Sequence, residues 1–247
     1  MNRTLGAPHP IDAPGTDESA WAAWPGLAAL PDADAAGLGS VASAVVVAAH
    51  PDDEVLGAGG LLSVLAAAGA RLRLVAVTDG EGSHRGHADP GALARRRTAE
   101  TAAALRALGA GTAEVVRLGL PDAGLAGREE ELAAALRPLT AGFDLCLAPW
   151  DGDLHPDHEA AGRAARRAAS RVLSYPIWMW HWASPADPRV PWDQALRVPL
   201  PPRAATRKRA AIGCFASQTE DRGGGLGPVL TPAMLAHFTR ATEVLLP

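Results

Sequence analysis

Two short segments bring together residue types that can bind a metal and move a proton: Ala49-His50-Pro51-Asp52-Asp53-Glu54 and His155-Pro156-Asp157-His158-Glu159. Two imidazoles and one carboxylate, with a fourth position left open, form a recurrent catalytic zinc arrangement. His50, Asp53 and His158 can supply those three ligands. Asp52 then stands beside the metal, free to take a proton from water whose pKa the cation lowers towards about 7. Adjacent acids can hold separate jobs, because consecutive side chains on a helical turn do not share a face. His155, not needed as a ligand, is placed to polarise a carbonyl or to protonate a departing amine. Asp157 is placed to hold His155 in one tautomer.

Helix capping explains part of this pattern. A proline at a helix start followed by acids suits the unpaired N–H groups and partial positive charge of the first turn. It does not explain a histidine before each proline, nor the further histidine at His158.

The elements that must bring the segments together follow from the apolar pattern. Ala44 to Ala49 is a short, wholly apolar run, the mark of a strand covered on both faces. Helix and strand then alternate: helix Glu54 to Ala68, strand Arg71 to Thr78, helix Leu93 to Leu108, strand Glu114 to Leu118. Helix Glu129 to Arg137, strand Asp144 to Ala148, helix Asp157 to Arg171 and strand Val172 to Tyr175 complete the series. Gly69 and Gly109 suit left-handed helix ends, and Gly57, Gly59 and Gly60 mark close backbone packing. The alternation predicts an α/β fold, a Rossmann-like three-layer sandwich with a mostly parallel sheet and an elaborated C-terminal part. In such sheets ligands bind beyond the carboxyl ends of the strands, and both His-Pro-Asp segments lie at such ends.

Residues 1–40 read as an irregular N-terminal arm with one short helix near Glu18 to Leu30, and residues 41–247 as a single domain. From Trp178 a Trp- and Pro-rich stretch runs to Pro202, followed by helices near Ala204 to Phe215 and Ala233 to Leu245. The glycine loop at Gly223 to Gly227 is either a solvated turn or a segment that moves over the site.

A chain of 247 residues with 48% hydrophobic content can bury a sizeable core. The net charge of −4 gives no reason to expect a nucleic acid as partner, and the arginine clusters read as solvated helix faces. Two cysteines, Cys146 and Cys214, make neither a disulfide framework nor a thiolate metal site, so a reducing cytoplasm is expected. Met1 to Gly15 lacks the apolar run of a secretion signal, and no run reaches membrane-spanning length. No Gly-x-Gly-x-x-Gly follows the first strand, which argues against a dinucleotide enzyme.

The paired motifs resemble those of the PIG-L (LmbE-like) deacetylase family. Thr78-Asp79-Gly80-Glu81-Gly82-Ser83-His84, Arg97-Thr98-Ala99-Glu100, and Ala210-Ala211-Ile212 with Ser217-Gln218 extend the likeness from about Ser43 to Gln218. The resemblance implies Zn2+ or Fe2+ on His50, Asp53 and His158, Asp52 as base, and His155 as acid or oxyanion partner oriented by Asp157. It also implies Arg97 near the substrate, and His84 is a further candidate for substrate contact, with His87 weaker. Where some members carry a tyrosine two residues before the first histidine of the second motif, this chain has Asp153. The implied reaction is removal of an N-acetyl or other N-acyl group from an amino sugar or sugar conjugate. Hydration of a carbon–carbon double bond on the same scaffold, and a metal-stabilised binding module, are the alternatives. The segment Trp178-Met-Trp-His-Trp182 suits core packing or a contact between copies in a homo-oligomer, or a wall for a sugar or acyl group.

Overall fold

The computed structural model describes residues 11, 13–84, 89–222 and 227–247, so His87 and most of the glycine loop lie outside the described residues. The chain opens with two short helices, α1 (Glu18–Ala23) and α2 (Pro25–Ala29). The alternation then runs β1 (Ser43–Ala48), α3 (Asp53–Ala67), β2 (Arg71–Ala76), α4 (Pro90–Leu108) and β3 (Glu114–Arg117). It continues through α5 (Glu129–Thr140), β4 (Leu145–Pro149), α6 (Pro156–Ala168) and β5 (Val172–Tyr175). Beyond it come α7 (Met179–Trp182), β6 (Leu196–Pro199), α8 (Pro202–Ile212), α9 (Ala216–Thr219), α10 (Pro232–Ala236) and β7 (Thr242–Leu245).

Strands β1 to β5 form one parallel sheet in the order β3-β2-β1-β4-β5. The central strand is buried along its whole length. Its side chains alternate as the pleat requires. Ala44, Val46 and Ala48 join one apolar cluster with α3, α4 and the C-terminal elements, while Val45, Val47 and Ala49 join another with α5 and α6. The helices that follow the neighbouring strands β1 and β4 therefore leave to opposite faces. That divergence opens a crevice at the carboxyl ends, where both His-Pro-Asp segments sit.

Two of the three glycines of α3, Gly57 and Gly60, serve close packing, whereas a Cβ at Gly59 would meet nothing nearer than 3.4 Å. A Cβ at Gly57 would stand 2.1 Å from the Tyr175 ring, and one at Gly60 2.4 Å from Leu200. The expected left-handed helix ends are present, with φ of 80° at Gly69 and 79° at Gly109.

One expectation changes. The helix expected over Ala233 to Leu245 is the short α10 followed by strand β7, which pairs antiparallel with β6. Helical spacing in that stretch gives way to tertiary pairing, with Val244 and Leu245 buried in the ribbon with β6 and Leu246 buried where it bridges to Ser174. The N-terminal stretch shares the main core: the buried Trp21 indole donates to the Trp180 carbonyl at 2.9 Å and stacks edge-on with its ring at 5.0 Å. Among the described residues no helix is long and apolar enough to cross a membrane.

Candidate metal centre

Strand β1 delivers His50, Pro51 and Asp52 to the crevice before α3 starts. Asp52 is the residue preceding the helix, and its φ of 122° falls where an L-residue is strained. Its carbonyl accepts from the N–H groups of Val55 and Leu56, both at 2.9 Å, and so caps the first turn. Asp53 turns back to accept the His50 N–H at 2.8 Å.

Three side chains converge on one point. His50 Nδ1 lies 3.2 Å from His158 Nε2, which is 3.3 Å from Asp53 Oδ1, and Asp53 Oδ2 is 3.5 Å from His50 Nδ1. Donors about 2.1 Å from a shared tetrahedral ion stand about 3.4 Å apart, and the two imidazole nitrogens, with one or the other oxygen of the Asp53 carboxylate beside each, come close to that spacing, which suits zinc or a similar cation. The ligand atoms of His50, His155 and His158 also lie within 4.8 Å of one another, as do those of His50, Asp122 and Asp157. The set containing Asp53 is the better candidate, because Asp53 adds a charge-neutralising carboxylate and Asp157 has other partners.

Those partners fix the imidazoles from behind. His158 Nδ1 meets Asp153 Oδ2 at 2.7 Å. Asp153, fully buried, is itself held by the N–H groups of Ile177, Trp178 and Met179 at 3.1, 2.9 and 2.8 Å. Asp153 thus provides a carboxylate that leaves His158 Nε2 facing the triangle. His50 Nε2 faces Asp157 Oδ2 at 3.2 Å and Asp122 Oδ1 at 3.3 Å. Asp157 is anchored by the N–H groups of Ala123 at 2.8 Å and Leu125 at 3.0 Å. The structure therefore sets Asp157 against His50, whereas the sequence suggested His155. At the start of α6 the carboxylate points toward the loop after β3, and His155 Nδ1 is buried without a hydrogen-bond partner.

The surplus of carboxylates favours positive charge at the triangle. Burial opposes protonation of His158, but Asp53 and Asp153 outweigh it and raise its pKa to about 9. His50 is likewise raised by Asp122, Asp157 and Asp53 against the effect of burial. A divalent cation supplies that same charge. Burial lifts Asp52 to about 7, opposed by the Arg97 guanidinium. His155 is pushed down to about 3 by burial and by the neighbouring His158 and His50, so its imidazole stays neutral.

Arg97 lines the cavity, and both its terminal nitrogens are engaged: Nη1 with the Gly80 carbonyl at 2.9 Å, Nη2 with the Pro51 carbonyl at 2.6 Å and Asp52 Oδ2 at 3.3 Å, while its Nε is buried without a partner. Three residues on in α4, Glu100 accepts the Ser217 N–H at 2.8 Å and hydroxyl at 2.6 Å, tying the C-terminal motif to this helix. Glu81 accepts the Asp122 N–H at 3.0 Å.

A cavity of about 390 Å3 adjoins the triangle. Asp52, His155, Asp122, Ser83 and Gln218 contribute polar lining, and Leu56, Ile177, Trp178, Val229 and Leu230 apolar lining. His84 borders a separate hollow with Arg96, Ser217 and Glu220, and its Nδ1 lies 2.8 Å from the Ser83 hydroxyl. Trp178 is the one tryptophan of its segment that reaches the cavity, its ring parallel to His155 at 6.4 Å. Trp180 packs internally, and the half-buried Trp182 stacks on Trp150. Asp122 and the anchoring role of Asp153 were not anticipated. Asp122 had one available signal, its place in Leu118-Gly-Leu-Pro-Asp122 just past the carboxyl end of β3.

Comparison with known proteins matches residues 45–169 to the PIG-L family, described as GlcNAc-PI de-N-acetylase. A protein of Kineococcus radiotolerans, named 1D-myo-inositol 2-acetamido-2-deoxy-alpha-D-glucopyranoside deacetylase, is 30% identical over 224 residues. That alignment spans 75% of this chain and 60% of the relative, so a substantial part of the relative has no counterpart in it. The crystal structure of the conserved protein TT1542 from Thermus thermophilus is 30% identical with a TM-score of 0.54, covering 72% of this chain and 80% of that one. The A40926 pseudoaglycone deacetylase Dbv21 shares the fold at 21% identity and a TM-score of 0.62, covering 83% of this chain and 96% of that one. The match over both His-Pro-Asp junctions, on a parallel sheet that carries them to one crevice, makes this chain a member of the PIG-L family.

Proposed function

We propose that the protein is a metal-dependent hydrolase that removes an N-acetyl group from an amino sugar or sugar conjugate. The observation that carries this reading is the His50, Asp53 and His158 triangle, set beside a buried carboxylate and a neutral imidazole at one cavity. The name of the Kineococcus relative supports the choice of substrate class. Zinc or ferrous iron on those three residues would supply Lewis acidity, making water a nucleophile near neutral pH and polarising the amide carbonyl.

The remaining work falls to the chain's own groups. Asp52 takes the proton of the attacking water and returns it to the departing nitrogen, a shuttle suited to a carboxylate near neutral pKa. Arg97 holds that carboxylate in place through its bond to Oδ2 and to the carbonyl just before it. His155, kept neutral, donates an N–H to the carbonyl oxygen as charge builds there. Sugar hydroxyls meet Asp122 and Ser83, while the acyl methyl turns to Ile177 and Trp178. Both cysteines are unpaired, which suits a reducing compartment such as the cytoplasm.

Acetate release from a panel of N-acetylglucosaminides, comparing zinc-loaded wild type with Asp52→Asn, tests the proposal. Release by the wild type, with a large loss in the variant, is expected. A zinc-loaded wild type that releases no acetate from any of them contradicts it and favours the hydratase. Equal function in Asp52→Asn would favour a binding module.

A further inference from the structure

One to two helical turns beyond the junction that carries Asp52 and Asp53, α3 receives a buried ion pair from outside. Glu243, on β7, accepts hydrogen bonds from two backbone N–H groups in the middle of the helix, Gly60 at 2.6 Å and Leu61 at 2.9 Å. In a regular helix those donors serve the carbonyls four residues back, Leu56 and Gly57. The Leu56 carbonyl accepts from the Lys208 ammonium of α8 at 2.7 Å, and the same ammonium meets Glu243 at 2.7 Å. Lys208 is 3% exposed and Glu243 4%. The cation therefore sits on a helix acceptor and the anion on helix donors.

Stability alone is a poor reason for this arrangement. Taking two charges out of water costs about as much as their attraction returns, and apolar residues often do as well. A pair serving only to fasten α8 to β7 has no need of the α3 backbone. Leu56 explains why the backbone matters. Its N–H donates to the Asp52 carbonyl, and its side chain lines the cavity. Asp52 is strained at φ 122°, and such a conformation persists only where its surroundings over-determine it.

We propose that Lys208 and Glu243 are positioning residues: gripping α3 at Leu56, Gly60 and Leu61, they set the pitch of its first turn and so the places of Asp52 and Asp53. Both lie beyond residues 45–169 that match the family model, so the C-terminal part takes a share in building the site. The inference rests on the reading of Asp53 as a metal ligand.

Lys208→Met with Glu243→Leu tests it, because apolar side chains of similar length remove the grip on the α3 backbone and leave no buried charge behind. Folding is followed by circular dichroism, and zinc affinity by competition with a chelator. The double variant is expected to fold and to bind zinc about tenfold more weakly, the scale on which residues behind a metal ligand act. At saturating zinc, kcat on an N-acetylglucosaminide is expected to fall while KM stays within about twofold, as for a group that acts only through others. Zinc affinity within about twofold of wild type, even with a lowered Tm, overturns the proposal. If that variant does not fold, Lys208→Met with Glu243→Gln carries the test, since the glutamine amide keeps an acceptor for one N–H. Failure of both to fold would assign the pair to folding and overturn the proposal as well. A wild type that binds no zinc would instead sink the metal reading on which this inference stands.

Discussion

At the β1–α3 junction the helix begins after the His-Pro-Asp tripeptide, with Asp52 as the residue before its first turn and a φ of 122°. At the β4–α6 junction it begins inside the tripeptide, with His155 before the first turn and Pro156 as the first helical residue. That shift of two residues changes the work each side chain can do. In the first junction the histidine joins the triangle, the aspartate is a strained base, and the next residue, Asp53, is a ligand candidate. In the second the first histidine stands outside the triangle, the aspartate braces His50 of the other junction, and the next residue, His158, is the ligand candidate. Local sequence supplies the groups, and helix phase decides their roles.

The comparison breaks most completely at the triangle. Asp53→Ala and His158→Ala, one from each junction, are each expected to abolish tight zinc binding and with it activity, measured by metal content after dialysis and by acetate release. Next comes the base: Asp52→Asn is expected to lower kcat by about 10²- to 10⁴-fold with zinc still bound, the usual worth of a general base. Asp157→Asn and Asp153→Asn remove the braces behind His50 and His158, and each is expected to weaken zinc about 10- to 100-fold in a chelator competition. An equal zinc affinity in Asp157→Asn would return Asp157 to the role first suggested for it, beside His155.

Stability sharpens the contrast. Glycine at Asp52 relieves a strained φ and removes a buried carboxylate, so Asp52→Gly is expected to raise Tm by about 2–4 °C, or about 1 kcal/mol, while abolishing turnover. Asp157→Gly puts glycine in the first turn of α6 and loses two backbone hydrogen bonds, so Tm is expected to fall by a comparable amount or more. The smallest effect is at Cys146, in the strand that delivers the second junction. Burial pushes its thiol up to about 12, so alkylating reagents are expected to label Cys214 and spare Cys146. Labelling of Cys146 that appears on chelation would show that the sheet itself opens without the cation.

Much of this was legible in the residues alone. The apolar run of β1 and the helix–strand alternation determine the sheet, because a strand buried on both faces leaves a pattern that few other elements imitate. The two junctions were legible because imidazole beside carboxylate at a strand end has few other uses. Asp153 and Asp122 were not, since nothing local says which imidazole a carboxylate will face across the crevice. Asp157 was matched with its sequence neighbour His155 for the same reason. Strand β7 was hidden because Thr242 to Leu245 pairs with β6, more than forty residues away, and local spacing carries no record of that partner.

The most direct test of the central claim is zinc titration into chelator-stripped wild type, His155→Ala and Asp53→Ala, read as stoichiometry and affinity. The expected result is one tight equivalent in the wild type, one in His155→Ala, and none in Asp53→Ala. Tight binding in Asp53→Ala together with its loss in His155→Ala would contradict the account, because the metal would then belong to the three histidines.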